Sequence, residues 1–222
     1  MTIFGKYKIL MNTITRFFFE KPDVRFFFKR DISAVFRGSE YAKQALLKRA
    51  IAAGDIVRIR RGFYCLNSNL QRTPINELAL AQLVYGPSYI SMESALRFYN
   101  WIPEAVYSIT SVSINKAKDF ITPLGLYNYK RVPQKIFYSG VERIIDDYGN
   151  VILIASPLKA LCDYIYTQKV SWKALKPLID NLRVEYEDLR KITTKEFLQL
   201  ENTYRSQRVN IFIKSLKKEL HL

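Results

Sequence analysis

The sequence predicts an α+β protein in two parts, a small amino-terminal domain and a larger mixed domain with a small sheet and terminal helices. Three observations support this prediction. Hydrophobic residues make up 49 % and charged residues 25 % of the 222 residues, which is the composition of a folded globular chain. Helix-type and strand-type periodicities alternate along the chain. The polar stretch 67–74 ends at a proline and has the composition of a connector, so we divide the chain into residues 1–72 and 73–222.

The first part is predicted to begin with three helices. A helix over about 4–19 ends before Pro22, because the residue that precedes a proline avoids helical backbone angles. A short second helix is predicted from Lys29 to Phe36. A third helix is predicted to begin after Ser39, whose hydroxyl can cap it, and to run to Ala53 before Gly54 stops it.

A basic hairpin is predicted to follow the third helix. Apolar and basic residues alternate from Ile56 to Tyr64 through a glycine turn, which is the pattern of a strand that enters a hairpin. Three helices followed by a basic hairpin is the order of a winged helix-turn-helix, whose third helix lies in the major groove of DNA. We therefore expect residues 1–72 to form such a domain.

The net charge supports a polyanionic partner for this domain. The chain carries 35 Lys plus Arg against 20 Asp plus Glu, a formal charge of +15. Residues 1–72 hold 15 basic and 5 acidic side chains, so the first third of the chain carries +10 of the excess. Such a field favours nucleic acid, or an acidic protein or membrane surface, over a small neutral substrate.

The candidate DNA contacts follow from the periodicity of the third helix and the hairpin. Leu46, Leu47, Ala50 and Ile51 fall on one helix face, and a slightly rotated alternative would bury Ala42 and Leu46 while it exposes Lys43 and Leu47. Arg58 and Arg60 alternate with apolar residues and are predicted to share one strand face, which we assign to phosphates or the minor groove. The candidate DNA-binding residues are Tyr41, Lys43, Gln44, Lys48, Arg49, Arg58, Arg60 and Arg61.

The second part predicts a sheet between helices. The predicted strands span 107–114, 127–132, 135–138, 141–145 and 151–154, with a hairpin turn at 147–150. Ser91 and Ser156 are placed to cap helices, and Pro157 suits a first helical position. Near the carboxy terminus an apolar stripe predicts a helix that docks on its own domain, or alternatively in a partner's groove; it comprises Val209, Phe212, Ile213, Leu216 and Leu220.

Four blocks of the sequence resemble the AbiE-type antitoxins. Residues 89–107 resemble their Y-x-S-x-E-S-A-L…I-P-E block, and residues 120–125 resemble F-x-T-P-L-G. Residues 154–163 are similar to A-x-P-E-K-A-L-x-D, with Leu158 where the family usually carries Glu, and residues 61–64 match R-G-x-Y. The blocks occur in the family's order over some 140 residues, from about Phe28 to Tyr166. Together the four spaced blocks are specific, although each alone would be weak.

The resemblance implies a regulator from a type IV toxin–antitoxin or phage-defence operon. Its amino-terminal winged helix would bind inverted repeats in its own promoter, on double-stranded DNA, and repress transcription. Its second domain, with help from the first, would oppose a partner toxin that is a nucleotidyltransferase. The alternative from a different class is a protein-binding module that neutralises an acidic partner without promoter binding.

The sequence predicts no enzymatic activity, metal or cofactor. Cys65 and Cys162 lie far apart without a nearby Cys or His, and the single histidine, His221, is next to the end of the chain. A weaker third hypothesis is a metal-dependent nuclease built on Asp146 and Asp147, but adjacent strand residues point to opposite faces. No apolar run approaches the ~18 residues of a membrane span, so we expect a cytoplasmic protein without membrane association.

Overall fold

The computed structural model of the protein describes residues 11–21 and 24–222. It shows a mixed α and β protein, as predicted. It divides into two compact units. The amino-terminal unit comprises the described residues up to Asn76 together with Thr122–Leu124, and the carboxy-terminal unit comprises Glu77–Ile121 and Gly125–Leu222. In the described parts of the chain, no helix is long and apolar enough to cross a membrane.

The amino-terminal unit alternates helices with three short strands. Its elements are α1 (Thr13–Phe19), β1 (Phe26–Phe28), α2 (Lys29–Val35), α3 (Glu40–Ala52), β2 (Ile56–Arg60) and β3 (Phe63–Leu66), followed by a 3-10 turn at Ser68–Leu70. The predicted second and third helices and the hairpin are confirmed. Ser39 Oγ accepts a hydrogen bond from the Ala42 amide at 3.2 Å, and Gly54 ends α3 with φ of +76°, the left-handed conformation that favours glycine.

The first helix does not include residues 11 and 12, which were predicted to be helical. Residues 4–10 of that prediction lie outside the described residues, and α1 begins only at Thr13. Asn12 has an extended backbone (φ −68°, ψ 166°), and its side chain accepts a hydrogen bond from the Thr15 amide at 3.0 Å. An asparagine in this geometry is an N-cap, so α1 begins directly after it. The end of the helix at Phe19 is confirmed.

Strand β1, which the sequence did not predict, completes a three-stranded sheet. The sheet has the order β1-β3-β2, and both pairs are antiparallel. Residues Phe26–Phe28 are too few to display a period of two, and their pairing with β3 lies across more than thirty residues of sequence. The pairing brings the start of α2 to the hairpin, since β1 runs directly into α2.

The core of the amino-terminal unit fixes the rotation of α3. Leu47 and Ala50 are buried, and they belong to the same apolar cluster as Ile14 of α1 and Phe27 of β1. The rings of Phe18 and Phe27 stack with centroids 3.8 Å apart. Ala42 is exposed, so the rotated alternative for α3 is wrong and the first assignment of its buried face is confirmed. The helix therefore presents a defined outer face.

The carboxy-terminal unit contains a six-stranded mixed sheet in the order β6-β7-β5-β4-β9-β8. Its strands are β4 (Ser88–Ile90), β5 (Ser108–Ser113), β6 (Lys118–Thr122), β7 (Gly125–Arg131), β8 (Val141–Ile145) and β9 (Val151–Ala155). Its helices are α4 (Glu77–Val84), α5 (Met92–Phe98), α6 (Pro157–Gln168), α7 (Lys176–Leu182), α8 (Tyr186–Leu189), α9 (Thr194–Leu200) and α10 (Gln207–Glu219). The predicted strands that correspond to β5, β7, β8 and β9 are confirmed, whereas β4 and β6 were not predicted.

The predicted strand at 135–138 is absent from the described residues, which turn there instead. Gln134 forms an isolated bridge with Tyr204, and the Lys135 amide donates a hydrogen bond to the Thr203 carbonyl at 2.9 Å. A segment that precedes α10 thus satisfies the backbone of this loop in place of a sheet neighbour.

Helices cover both faces of the sheet. Tyr129 of β7 donates a hydrogen bond to the Ala81 carbonyl of α4 at 2.6 Å, whereas Thr110 of β5 contacts α5. Thr110 pairs with Asn128, the residue before Tyr129, so α4 and α5 lie on opposite faces. The predicted stripe on α10 is confirmed, since Val209, Phe212, Ile213 and Leu216 are buried, and the helix packs against α6 and α9.

The cap of α5 comes from a neighbouring strand rather than from Ser91. The helix begins where the sequence predicted it, but the Ser91 side chain makes no capping bond. Thr110 Oγ1 accepts a hydrogen bond from the Ser94 amide at 3.1 Å and donates one to the Ser91 carbonyl at 2.7 Å. One hydroxyl group therefore joins β5 to the first turn of α5.

Replacement of Thr110 by valine tests this cap. Valine has the same shape but cannot accept from the Ser94 amide, so we expect Thr110→Val to lower the free energy of unfolding by about 1–3 kcal/mol. Thr110→Ser keeps the hydroxyl group and should recover most of the loss. Urea denaturation of both full-length variants measures the difference; equal stabilities would show that the hydroxyl does not cap α5.

Candidate nucleic-acid interface

The outer face of α3 carries polar and cationic side chains that project into solvent. Tyr41 is 84 % exposed, and Gln44, Lys48 and Arg49 are also exposed. Because Leu47 and Ala50 hold the opposite side of the helix in the core, these four side chains have a fixed direction relative to the unit. The structure thus brings together four of the predicted site residues on one accessible surface.

Lys43 differs from the other predicted residues of α3. Its ammonium group donates a hydrogen bond to the Ser33 carbonyl of α2 at 3.0 Å and lies 3.2 Å from Glu40, and only 12 % of its side chain is exposed. The carboxyl group of Glu40 has a lowered pKa, mainly because it accepts a hydrogen bond from Ser33 and also because it lies beside Lys43. Lys43 therefore joins α3 to α2 instead of projecting outward.

The arginines of the hairpin do not share one strand face. Arg58 pairs with Tyr64 and Arg60 pairs with Phe63. One residue, Ile59, lies between the two arginines, whereas Phe63 and Tyr64 are adjacent in sequence. This is a β-bulge, which leaves Ile59 as the extra residue. Adjacent residues of β3 point to opposite faces, so the prediction that Arg58 and Arg60 share a face is wrong. Arg58 and Arg61 are exposed, and Arg61 lies at the turn, where Gly62 has φ of +77°.

Lys29 and Arg30, which the sequence did not single out, lie beside this turn. The Lys29 amide donates a hydrogen bond to the Gly62 carbonyl at 2.9 Å, and the Lys29 ammonium group lies 3.8 Å from the Glu40 carboxylate. The Arg30 side chain is 81 % exposed. We call the group Lys29, Arg30, Arg60 and Arg61 the basic rim. Only the pairing of β1 with β3 brings these residues together, and no local sequence pattern announces it.

The carboxy-terminal unit encloses a buried ion pair, Lys159 and Asp163, on consecutive turns of α6. Both side chains are 0 % exposed, and Lys159 Nζ lies 3.8 Å from Asp163 Oδ1. Asp163 Oδ2 accepts hydrogen bonds from Ser91 at 2.7 Å and Tyr89 at 3.0 Å, and Oδ1 accepts one from Tyr204 at 2.7 Å. Gln134 accepts a hydrogen bond from Lys159 and donates to Tyr89. The pair thus joins four segments distant in sequence.

Burial shifts the pKa values of several groups in this network. Burial lowers the pKa of Lys159, whereas the charge of Asp163 acts in the opposite direction and raises the pKa of Lys159. Burial and the same carboxylate raise the pKa of Tyr89 and Tyr204 well above their ordinary value, so both phenols remain donors. Of the six residues, Tyr89, Ser91, Lys159 and Asp163 belong to the blocks that resemble the antitoxin family. The blocks 89–107 and 154–163 therefore have a structural role.

Asp146, one of the two residues considered for nuclease chemistry, has a structural role. Asp146 Oδ1 accepts hydrogen bonds from the Tyr148 amide at 3.0 Å and the Asn150 amide at 2.8 Å, so this carboxylate closes the predicted hairpin turn between β8 and β9. Across residues 11–21 and 24–222, no group of three His, Cys, Asp or Glu side chains could hold a metal ion.

Comparison with known proteins yields no assignment for this chain. No protein-family model matches it, and no curated protein matches it.

Proposed function

We propose that the protein is a transcriptional repressor that binds double-stranded DNA through a winged helix-turn-helix formed by its amino-terminal unit. The observation that carries the proposal is the outer face of α3, where Tyr41, Gln44, Lys48 and Arg49 are exposed on a helix whose other face is fixed in the core. The element order α1-β1-α2-α3-β2-β3 and the exposed arginines at the hairpin support it further.

The chemistry of this face suits base readout in the major groove. Glutamine can pair with the donor and acceptor of an adenine edge, and arginine or lysine can pair with the two acceptors of guanine. Ala45 stands between these residues, and its small side chain permits close approach of the helix backbone. We assign base contacts to Gln44, Lys48 and Arg49, and phosphate contacts to the exposed arginines of the hairpin.

Alanine substitution of Lys48 or Arg49 tests the base contacts. Each variant should weaken binding to the promoter duplex by about 1–3 kcal/mol, and the loss should shrink on a scrambled duplex of the same length. Lys218→Ala, which removes an exposed lysine from α10, is the control. Equal losses on every sequence would reassign the residue to a phosphate, and a wild-type protein that binds no duplex would refute the proposed function.

We further propose, from the resemblance to AbiE-type antitoxins, that the protein represses its own toxin–antitoxin operon and opposes a nucleotidyltransferase-type toxin. The full-length Lys48→Ala/Arg49→Ala variant separates the two activities in cells that express the neighbouring toxin gene. We expect it to lose repression and to keep neutralisation. If wild-type protein neutralises the toxin but binds no promoter, the alternative of a protein-binding module without DNA binding is correct.

A further inference from the structure

One rung of the amino-terminal sheet places an arginine at each end of an aromatic stack. Arg60, Phe63 and Phe28 are paired across β2, β3 and β1 in that order. The rings of Phe63 and Phe28 are 4.6 Å apart and inclined by only 16°. The Arg60 guanidinium lies 5.6 Å from the Phe63 ring, and the Arg30 guanidinium lies 4.9 Å from the Phe28 ring. The stack therefore runs from guanidinium to guanidinium.

The stack is anchored beside the turn of the hairpin. Phe63 is fully buried, which leaves its ring little freedom, and the Lys29 amide is bonded to the Gly62 carbonyl. A guanidinium group that lies on a ring samples fewer orientations than a free side chain, so its later contact with an anion costs less conformational entropy. The geometry thus favours Arg30 and Arg60 as pre-positioned anion contacts.

Two acidic groups lie near Lys29 and Arg30. Asp31 forms an ion pair with Arg30, with Oδ1 3.8 Å from Arg30 Nε, while its Oδ2 accepts a hydrogen bond from the Phe28 amide at 2.6 Å. Glu40 interacts with Lys29, Lys43 and Ser33. The Arg30 side chain remains 81 % exposed, so this ion pair leaves its guanidinium group accessible to an anion from solvent.

We infer that Arg30 contacts the phosphate backbone of the same duplex that α3 binds, with Arg60 as its counterpart at the other end of the stack. The start of α2 is then a second backbone-contact region beside the hairpin. This inference rests on the proposed function, because it names a further contact of that DNA site. A phosphate contact supplies affinity and orientation without base preference.

The test is the salt dependence of DNA binding by full-length Arg30→Ala. Loss of one phosphate contact should reduce the slope of log K against log salt by about 0.9, equally on promoter and scrambled duplexes. Arg30→Lys keeps the charge and should retain the wild-type slope. Arg72→Ala is the matched control, because the Arg72 guanidinium also lies over a ring, that of Phe19 at 5.5 Å, but near the other end of β3.

The possible outcomes separate the inference from the function. A reduced slope for Arg30→Ala alone supports the contact. A slope unchanged by Arg30→Ala, or reduced equally by Arg72→Ala, overturns the contact while the proposed function stands. Absence of salt-dependent binding by the wild-type protein overturns the proposed function itself. Thermal unfolding of each variant verifies that the fold is retained.

Discussion

Asp163→Ala should destabilise the carboxy-terminal unit by about 3–5 kcal/mol, which is the cost of removing one partner from a buried ion pair. The carboxylate accepts from Tyr89, Ser91 and Tyr204, and its removal leaves the Lys159 ammonium group buried without its counter-charge. Urea denaturation, monitored by circular dichroism, measures the loss. A change below about 1 kcal/mol would show that the network does not hold these segments together.

A surface ion pair provides the control. Glu187 and Arg190 form an ion pair at 3.8 Å, and their side chains are 77 % and 62 % exposed. Glu187→Ala should therefore cost less than about 1 kcal/mol. In the buried pair, Lys159→Met should partly rescue Asp163→Ala, because it removes the unpaired charge; additive effects in this double-mutant cycle would contradict the coupling.

The loss of stability caused by Asp163→Ala, relative to the wild-type protein, should also become smaller as the pH rises. Burial lowers the pKa of Lys159 below its ordinary value of 10.5, and removal of Asp163 removes a charge that raises it. At pH values between the pKa of Lys159 in the folded variant and its pKa in the unfolded chain, Lys159 is protonated only in the unfolded state. The free energy of unfolding of the variant therefore increases with pH in this range. Unfolding experiments at increasing pH measure this trend, and a deficit that grows with pH would contradict it.

Binding to promoter DNA should fall roughly 250- to 1000-fold between 50 and 200 mM salt. About five phosphate contacts give a slope of log K against log salt near −4 to −5. The candidates for these contacts are Arg58 of the hairpin and the four residues of the basic rim, which include Arg61. Fluorescence anisotropy over a salt series measures the slope.

A scrambled duplex of the same length is the internal control for this salt dependence. Its phosphates are identical, so the slope should be similar while the absolute affinity is lower. A slope near zero on the promoter would reject an interface dominated by phosphate contacts. In that case the charge excess of the first 72 residues would have another partner, such as an acidic protein surface.

The local features of this protein are predictable from its sequence. Four such features lie where their residue types predict them: the N-cap of α3 at Ser39, the end of α3 at Gly54, the beginning of α6 at Ser156–Pro157, and the apolar stripe of α10. Each depends on interactions within one or two helical turns, so neighbouring residues suffice to specify it. For the same reason, the buried face of α3 was predictable from its periodicity.

Which of these elements pack together is visible only in the folded protein. Strand β1 and the position of Arg30 beside the hairpin depend on pairing across more than thirty residues. Ser91 was predicted to cap a helix, but its hydroxyl group donates to Asp163, 72 positions away, and Thr110 supplies the cap. Local patterns cannot specify such partners. A buried polar side chain forms a hydrogen bond with a group that the fold places next to it, and that group can lie at any distance along the chain.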